Sequence, residues 1–178
     1  MTKKAKLIID GKEIEVEITQ EQLDKLCPPK KKTGYERTKK NEKFYFISAF
    51  DSEAHRYIEK MDVETGRLYL IGNYHSNKTL AENNARADKL MRQLRRFAVE
   101  HRKNPIDWTS PIANLHEKWE IMYSCPRDAE HKLFVTSLMN TTKGFGRIYF
   151  DELSTAELAI ETFKDELLWY FTEYKDSL

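Results

Sequence analysis

Hydrophobic and polar residues alternate at two periods along this chain, and the switches between them mark out its parts. Leu7-Ile8-Ile9 leads through Asp10-Gly11 to a stretch in which Ile14, Val16 and Ile18 alternate with Glu13, Glu15 and Glu17. A period of two is that of a half-buried strand. Asp-Gly suits the positive φ values of a type I′ turn, so the stretch predicts a β-hairpin. Thr19 and Gln22 have capping-box spacing for a short helix ending near Leu26, and Cys27-Pro28-Pro29 stops it. Residues 1–27 thus read as an appendage. Residues 28–42 read as a basic linker, since Lys30-Lys31-Lys32, Gly34 and Lys39-Lys40 favour an extended segment.

The body, 43–178, nearly repeats itself. An aromatic strand opens each half, Phe44-Tyr45-Phe46-Ile47 and Trp119-Glu120-Ile121-Met122. Each half then reaches a Tyr-containing motif, Gly72-Asn73-Tyr74 and Ile148-Tyr149-Phe150. The step from Tyr74 to Ala81 equals that from Tyr149 to Ala156. The expected fold is α+β: two strand-strand-helix repeats, about 43–103 and 117–175, forming an antiparallel sheet with two long helices. Lys43–Ala49, Lys118–Tyr123, Lys132–Met139 and Arg147–Phe150 read as strands. Met61–Leu70 reads as strand, turn, strand, with Gly66 in the turn.

Both long helices show the 3.6-residue period. In the first, about Lys78–Arg102, the residues Ala87, Leu90, Met91, Leu94, Phe97, Ala98 and His101 share one face. Lys78, Lys89, Arg92, Arg96 and Lys103 lie at the opposite pole, and Arg86, Arg95 and Arg102 widen that basic face. The last helix, from between Asp151 and Ser154 to near Tyr174, places Ala156, Ile160, Phe163, Leu167, Tyr170 and Tyr174 on a core face. Leu158, Leu168 and Trp169 fall on the other side. A helix apolar on both sides is sandwiched, so these three are assigned to self-association as a homodimer, with burial inside one chain as the alternative.

Charge is segregated although the net is only +1: +4 over residues 1–43, +5 over 78–103 and −6 over 150–178. The basic helix therefore faces an anionic partner or the acidic C-terminal helix. If the partner is anionic, Lys89, Arg92, Arg95, Arg96, Arg102 and Lys103 are its contact residues, with DNA or RNA contact possible in the partner complex. Lys43 with Tyr45, Arg67 with Tyr69 and Arg147 with Tyr149 suggest base stacking, against ordinary packing of half-buried tyrosines. Gly144-Phe145-Gly146-Arg147 suits an anion-binding turn or a plain hairpin turn. No apolar run of eighteen residues and no signal peptide is found, and Cys27 and Cys125 form no C-x-x-C. A reduced cytoplasmic setting is expected.

Catalysis finds little support. His55, His75, His101, His116 and His131 are scattered, and no HExxH or G-x-S-x-G occurs. Cys125 with His131, or a metal nuclease built on Glu117, Glu120, Asp128 and Glu130, are the alternatives. No cofactor and no metal is expected.

A resemblance narrows the function. The stretches Lys6–Ile14, Lys32–Arg37, Gly72-Asn73-Tyr74, Leu94–Ala98, Ile148-Tyr149-Phe150 and Asp165–Phe171 resemble accessory proteins of phages and mobile elements of Firmicutes. Proteins of that kind resemble counter-defence factors. The resemblance implies a binding protein acting in the host cytoplasm, an anti-CRISPR inhibitor of a type II nuclease–guide complex. It also admits a sponge for a cyclic nucleotide immune signal, similar to the Thoeris anti-defence proteins, or a metal-dependent nuclease on guide RNA. No functional residue carries over from it. Reversing the charge of Lys89, Arg92, Arg96 and Lys103 together is expected to abolish partner binding while Tm barely moves.

Overall fold

The computed structural model describes residues 2–9, 11–26, 32–106, 108, 117–125, 132–138 and 143–176. These divide into two compact units, Met1–Thr33 and Gly34–Leu178. In the first, β1 (Thr2–Ile9) pairs antiparallel with β2 (Lys12–Thr19), in a register running from Ile9 opposite Lys12 to Thr2 opposite Thr19. Gly11 sits at φ +78°, as the Asp-Gly turn requires. The capping box also forms. Thr19 N–H donates to Gln22 Oε1 at 2.9 Å and Gln22 N–H to Thr19 Oγ1 at 3.2 Å, starting α1 (Gln20–Leu26).

The second unit is α+β. Its elements are β3 (Lys43–Ile47), β4 (Ala54–Ile58), α2 (Val63–Leu70), α3 (Lys78–Glu100), β5 (Lys118–Ser124), β6 (Lys132–Leu138), α4 (Leu153–Thr162) and α5 (Lys164–Thr172). The duplication is present in three dimensions. Each half is an antiparallel hairpin, β3–β4 and β5–β6, and one later residue bridges onto its first strand. His75 bridges Tyr45, and Phe150 bridges Trp119. The next helices start at Lys78 and Leu153, the same 75 positions apart as Tyr74 and Tyr149.

Five expectations are corrected. The two halves do not share a sheet: among the described residues each hairpin is a separate two-stranded ladder. Residues 147–150 give a single bridge at Phe150, not a strand. The stretch Met61–Leu70 is not two strands: Val63–Leu70 is a helix, because Asp62 Oδ1 accepts the Thr65 N–H at 2.9 Å and caps it. The glycine in the left-handed region is Gly72, at φ +76°, and not Gly66. There Gly72 N–H reaches Tyr69 O at 3.1 Å and Asn73 N–H reaches Leu68 O at 3.0 Å, a Schellman ending. Finally, residues 34–42 pack into the second unit instead of spanning as a linker.

The last helix is also broken in two. Phe163 leaves helical geometry at φ −114°, ψ 20°, and its ring meets Phe97 edge-on at 5.6 Å. The main core lies here. Leu90, Leu94, Phe97 and Ala98 of α3 pack with Phe150, Ala156, Ala159 and Leu167, and the β5–β6 hairpin adds Trp119, Ile121, Leu133 and Val135. Ala156 and Ala159 are fully buried, so α4 approaches this core closely, and Ile160 packs at its margin.

A buried carboxylate organises the other half. Glu59 is fully buried and accepts five hydrogen bonds. They come from Arg37 Nε and Nη2, both at 3.1 Å, Thr65 Oγ1 at 2.6 Å, Met61 N–H at 2.7 Å and Tyr74 O–H at 2.9 Å. Tyr74 in turn accepts from Thr38 N–H at 3.1 Å and stacks on Phe44 at 4.1 Å. Arg37, with help from Thr65, Met61 N–H and Tyr74, outweighs burial and holds the Glu59 carboxyl at about 2, below its usual 4.5. A depressed native value means that ionised Glu59 stabilises the fold above pH 4.5, and that this contribution fades as pH falls towards 2. Its size is about 3 kcal/mol. Glu59→Gln should therefore lower the unfolding free energy at neutral pH by about that amount. The gap between variant and wild type in urea titrations should then shrink between pH 5 and pH 2.

Candidate functional site

Of the six basic residues singled out from the sequence, Lys89, Arg92, Arg95 and Arg96 lie on α3 and Arg102 and Lys103 just past its end, and the structure separates them. Three are matched with carboxylates of this same chain. Lys89 Nζ lies 4.0 Å from Glu53, Arg96 Nε 2.6 Å from Glu100, and Lys103 Nζ 2.6 Å from Glu152. Lys103 is further committed, because its N–H and that of Asn104 both donate to Asp151 Oδ2, at 2.8 and 2.7 Å. This clamp joins the C-terminal end of α3 to the approach of α4. Only Glu152 of these lies in the acidic C-terminal region, so the basic stripe meets that region through Lys103 and, by way of Glu166, through Arg86. Arg92, Arg95 and Arg102 differ: among the described residues none has a carboxylate within 4.0 Å.

Arg95, in the last turns of α3, and Arg102, just past its end, line an open cleft of about 430 Å³. Its other wall brings Lys143 and Arg147, with Trp108 and Tyr149 between. Trp108 and Tyr149 meet edge to face at 4.9 Å, and Lys118 Nζ stands 4.9 Å from the Trp108 ring centroid. Ala98, Val99 and Ile148 supply apolar surface. Arg147 is held on both sides. Its Nη1 reaches both oxygens of Glu120 at 3.0 Å, and its stem lies against Gly144, where a Cβ would come within 2.6 Å of Arg147 Cδ. Tyr149 O–H accepts Gly144 N–H at 2.7 Å, which fixes the turn. Among the described residues four cations line the cleft, and one of them, Arg147, is paired with Glu120. An anion entering it would meet a preset guanidinium and two aromatic rings.

Sequence reading found Arg95 and Arg102 but not their partners across the cleft. Arg147 had a signal, the turn Gly144-Phe145-Gly146-Arg147, and Glu120 had been grouped with carboxylates near strand ends. Trp108 lay in an irregular connection without period. Of the tyrosines paired with basic residues, Tyr149 does reach this cleft, while Tyr69 belongs to α2 and Tyr45 bridges His75. Asp128, Glu130 and His131 lie outside the described residues. Among the described residues no group of three His, Cys, Asp or Glu could hold a metal ion, and no helix is long and apolar enough to cross a membrane.

The self-association residues are also redistributed. Trp169 is buried, with the Arg86 guanidinium 4.0 Å above its ring and Arg86 itself bidentate on Glu166. Leu168 is half-buried, and Leu158 is 44% exposed. The break at Phe163 explains the correction. A wheel advanced at 100° per residue does not carry through it, so Leu158 on α4 and Trp169 on α5 do not share a face. Comparison with protein-family models, with curated proteins and with solved structures finds no match to this chain.

Arg95→Glu combined with Arg102→Glu should leave Tm within about 2 °C of wild type, since neither side chain holds another part of the fold. Lys103→Glu alone should lower Tm by about 2–4 °C, because it opposes Glu152 across the clamp. Thermal melts followed by circular dichroism decide between them.

Proposed function

We propose that this chain acts by binding, and that its cleft takes the sugar–phosphate backbone of a single nucleic-acid strand. The observation that carries this is the convergence of Arg95, Arg102, Lys143 and Arg147 on one groove with Trp108 and Tyr149. Cations track phosphates and aromatic faces stack bases without regard to sequence. The counter-defence role expected from the sequence gives this a setting. A type II CRISPR nuclease–guide complex presents RNA and displaced DNA strands, and a protein occupying them lowers target binding or cleavage without chemistry of its own. On this reading the chain is an inhibitor in the host cytoplasm, not an enzyme, and needs no cofactor.

A second reading has one observation in its favour. The cleft volume falls within the range of small-ligand pockets, and arginines with aromatics suit a cyclic nucleotide. A sponge would release intact nucleotide when protein purified from signalling cells is heat-denatured. A strand binder would release none.

The direct test is fluorescence anisotropy with a labelled uridine oligomer over a salt series. Wild type should bind with a log–log salt slope of several units. Arg95→Glu with Arg102→Glu should weaken binding at least tenfold and flatten the slope by about 1.4, the loss of two phosphate contacts on a single strand. An unchanged slope in the double variant removes the cleft from the function. The same variant should fail to co-elute with the nuclease–guide complex.

A further inference from the structure

The duplication places a second cavity one turn further back on α3, and its chemistry differs from that of its counterpart. In the second half, Met122, Gly146, Ile148, Phe150 and Leu167 line a mainly apolar cavity of about 250 Å³. The positions 75 residues earlier, Ile47, Ile71, Asn73, His75 and Arg92, line a cavity of about 470 Å³ in the first half. The hairpin and bridge are shared, while Leu167 stands on α5 beyond the break at Phe163 and Arg92 on the unbroken α3; the polarity of the first is that of its side chains.

Its walls are arranged around Asn84. Asn84 Nδ2 donates to Tyr35 O–H at 2.8 Å and to His75 Nε2 at 2.9 Å, while Tyr174 O–H donates to Asn84 Oδ1 at 3.0 Å. Burial pushes the Tyr174 hydroxyl up to about 12, so it remains a donor. His75 is 2% exposed, and burial lowers its pKa although the Tyr45 carbonyl favours a ring proton. Its Nδ1 nonetheless has no partner of hydrogen-bond geometry. Buried polar atoms are nearly always paired in a finished core, so an unpaired one marks a wall kept polar for another reason.

Asp88 and Arg92 are the open groups. They stand one turn apart on α3, a spacing at which opposite charges ordinarily pair. Here they do not, and among the described residues neither side chain has a hydrogen-bond or ion-pair partner. A carboxylate offers two acceptors and a guanidinium a fork of donors. Guanine is the base that answers both: N1–H and N2–H for the carboxylate, O6 and N7 for the guanidinium. Adenine would set its amino group against the guanidinium, and cytosine offers the carboxylate a single amino group. Ile47, Ala49 and Ile71 provide apolar surface for the ring.

We propose that the cavity bounded by His75, Asn84, Asp88 and Arg92 seats a guanine base of the strand whose phosphates lie along Arg95 and Arg102. This rests on the strand-binding reading, and adds base selectivity to it. Asp88 selects the base by accepting from its N1–H and N2–H edge, and Arg92 by donating to O6 and N7. Arg92 is followed by Arg95 on α3 and by Arg102 just past its end, so base site and phosphate track are continuous along the chain.

Two probes separate the two claims: guanosine, which has no phosphate, against adenosine in calorimetry, and a uridine oligomer with or without one central guanosine in anisotropy. Wild type should bind guanosine at least tenfold more tightly than adenosine and should prefer the guanosine-containing oligomer. Asp88→Asn should erase both preferences, keep the uridine oligomer affinity within twofold, and keep the wild-type Tm. Arg95→Glu with Arg102→Glu should lose both oligomers yet bind guanosine as wild type does. Equal binding of guanosine and adenosine, or a preference that survives Asp88→Asn, overturns the base site and leaves the phosphate track standing. Guanosine binding without oligomer binding overturns the track and leaves a nucleoside site. Binding of neither probe overturns both.

Discussion

The first half of the body depends on one buried charge. Glu59 ends the β4 segment, and its two oxygens collect the Arg37 fork, the hydroxyls of Thr65 and Tyr74 and a backbone N–H. Those donors come from the segment before β3, from α2 and from the motif after it. Few apolar residues in this half are fully buried beyond Phe44, Tyr74, Leu80 and Ala81. A carboxylate so placed is costly to desolvate, and it stabilises only because every donor is present. It gives this half a unique arrangement where apolar packing alone would leave several.

The second half reaches the same chain path by other means. At the position of Tyr74, Tyr149 accepts a backbone N–H from Gly144 and meets Trp108, and the buried acid of this half, Glu120, is held by Arg147. At the position of His75 stands Phe150, part of the main core. Duplication therefore preserved the hairpin, the bridge and the helix start, while the side chains diverged, with the main apolar cluster in the second half. Helix α3 serves both: its Leu90, Leu94 and Phe97 enter the core, and its Asn84, Asp88 and Arg92 face the polar cavity.

Local signals were legible in the sequence. The hairpin of the first unit, the Thr19–Gln22 box, the span of α3 and its apolar face all follow from period, turn chemistry and caps. The α+β class followed from the repeat. What escaped depends on contacts distant in sequence. Val63–Leu70 carries β-favouring residues and a glycine, and only the Asp62 cap and the Thr65–Glu59 contact commit it to a helix. The fate of residues 34–42 turned on Arg37 and Thr38 finding Glu59 and Tyr74. The basic face read correctly as exposed, but which of its charges were already matched depended on Glu53 and Glu152, whose places no periodicity gives. For the cleft, Arg95 and Arg102 were visible; Lys143, Arg147 and Trp108 arrive from loops.

Asn73 has a consequence for solubility. Its side-chain amide accepts from Ile47 N–H at 2.6 Å and donates to Ile47 O at 2.8 Å, behaving as one more residue of a neighbouring strand. Together with the His75 bridge to Tyr45, it occupies the outer rim of β3 with groups from the same chain. A strand rim left open is a template on which a foreign strand can grow, and short hairpins are prone to it. The counterpart of Asn73 is Ile148, which has no amide to offer. The two hairpins are therefore unequal in their resistance to runaway pairing, and crowding or heat should start aggregation from the second.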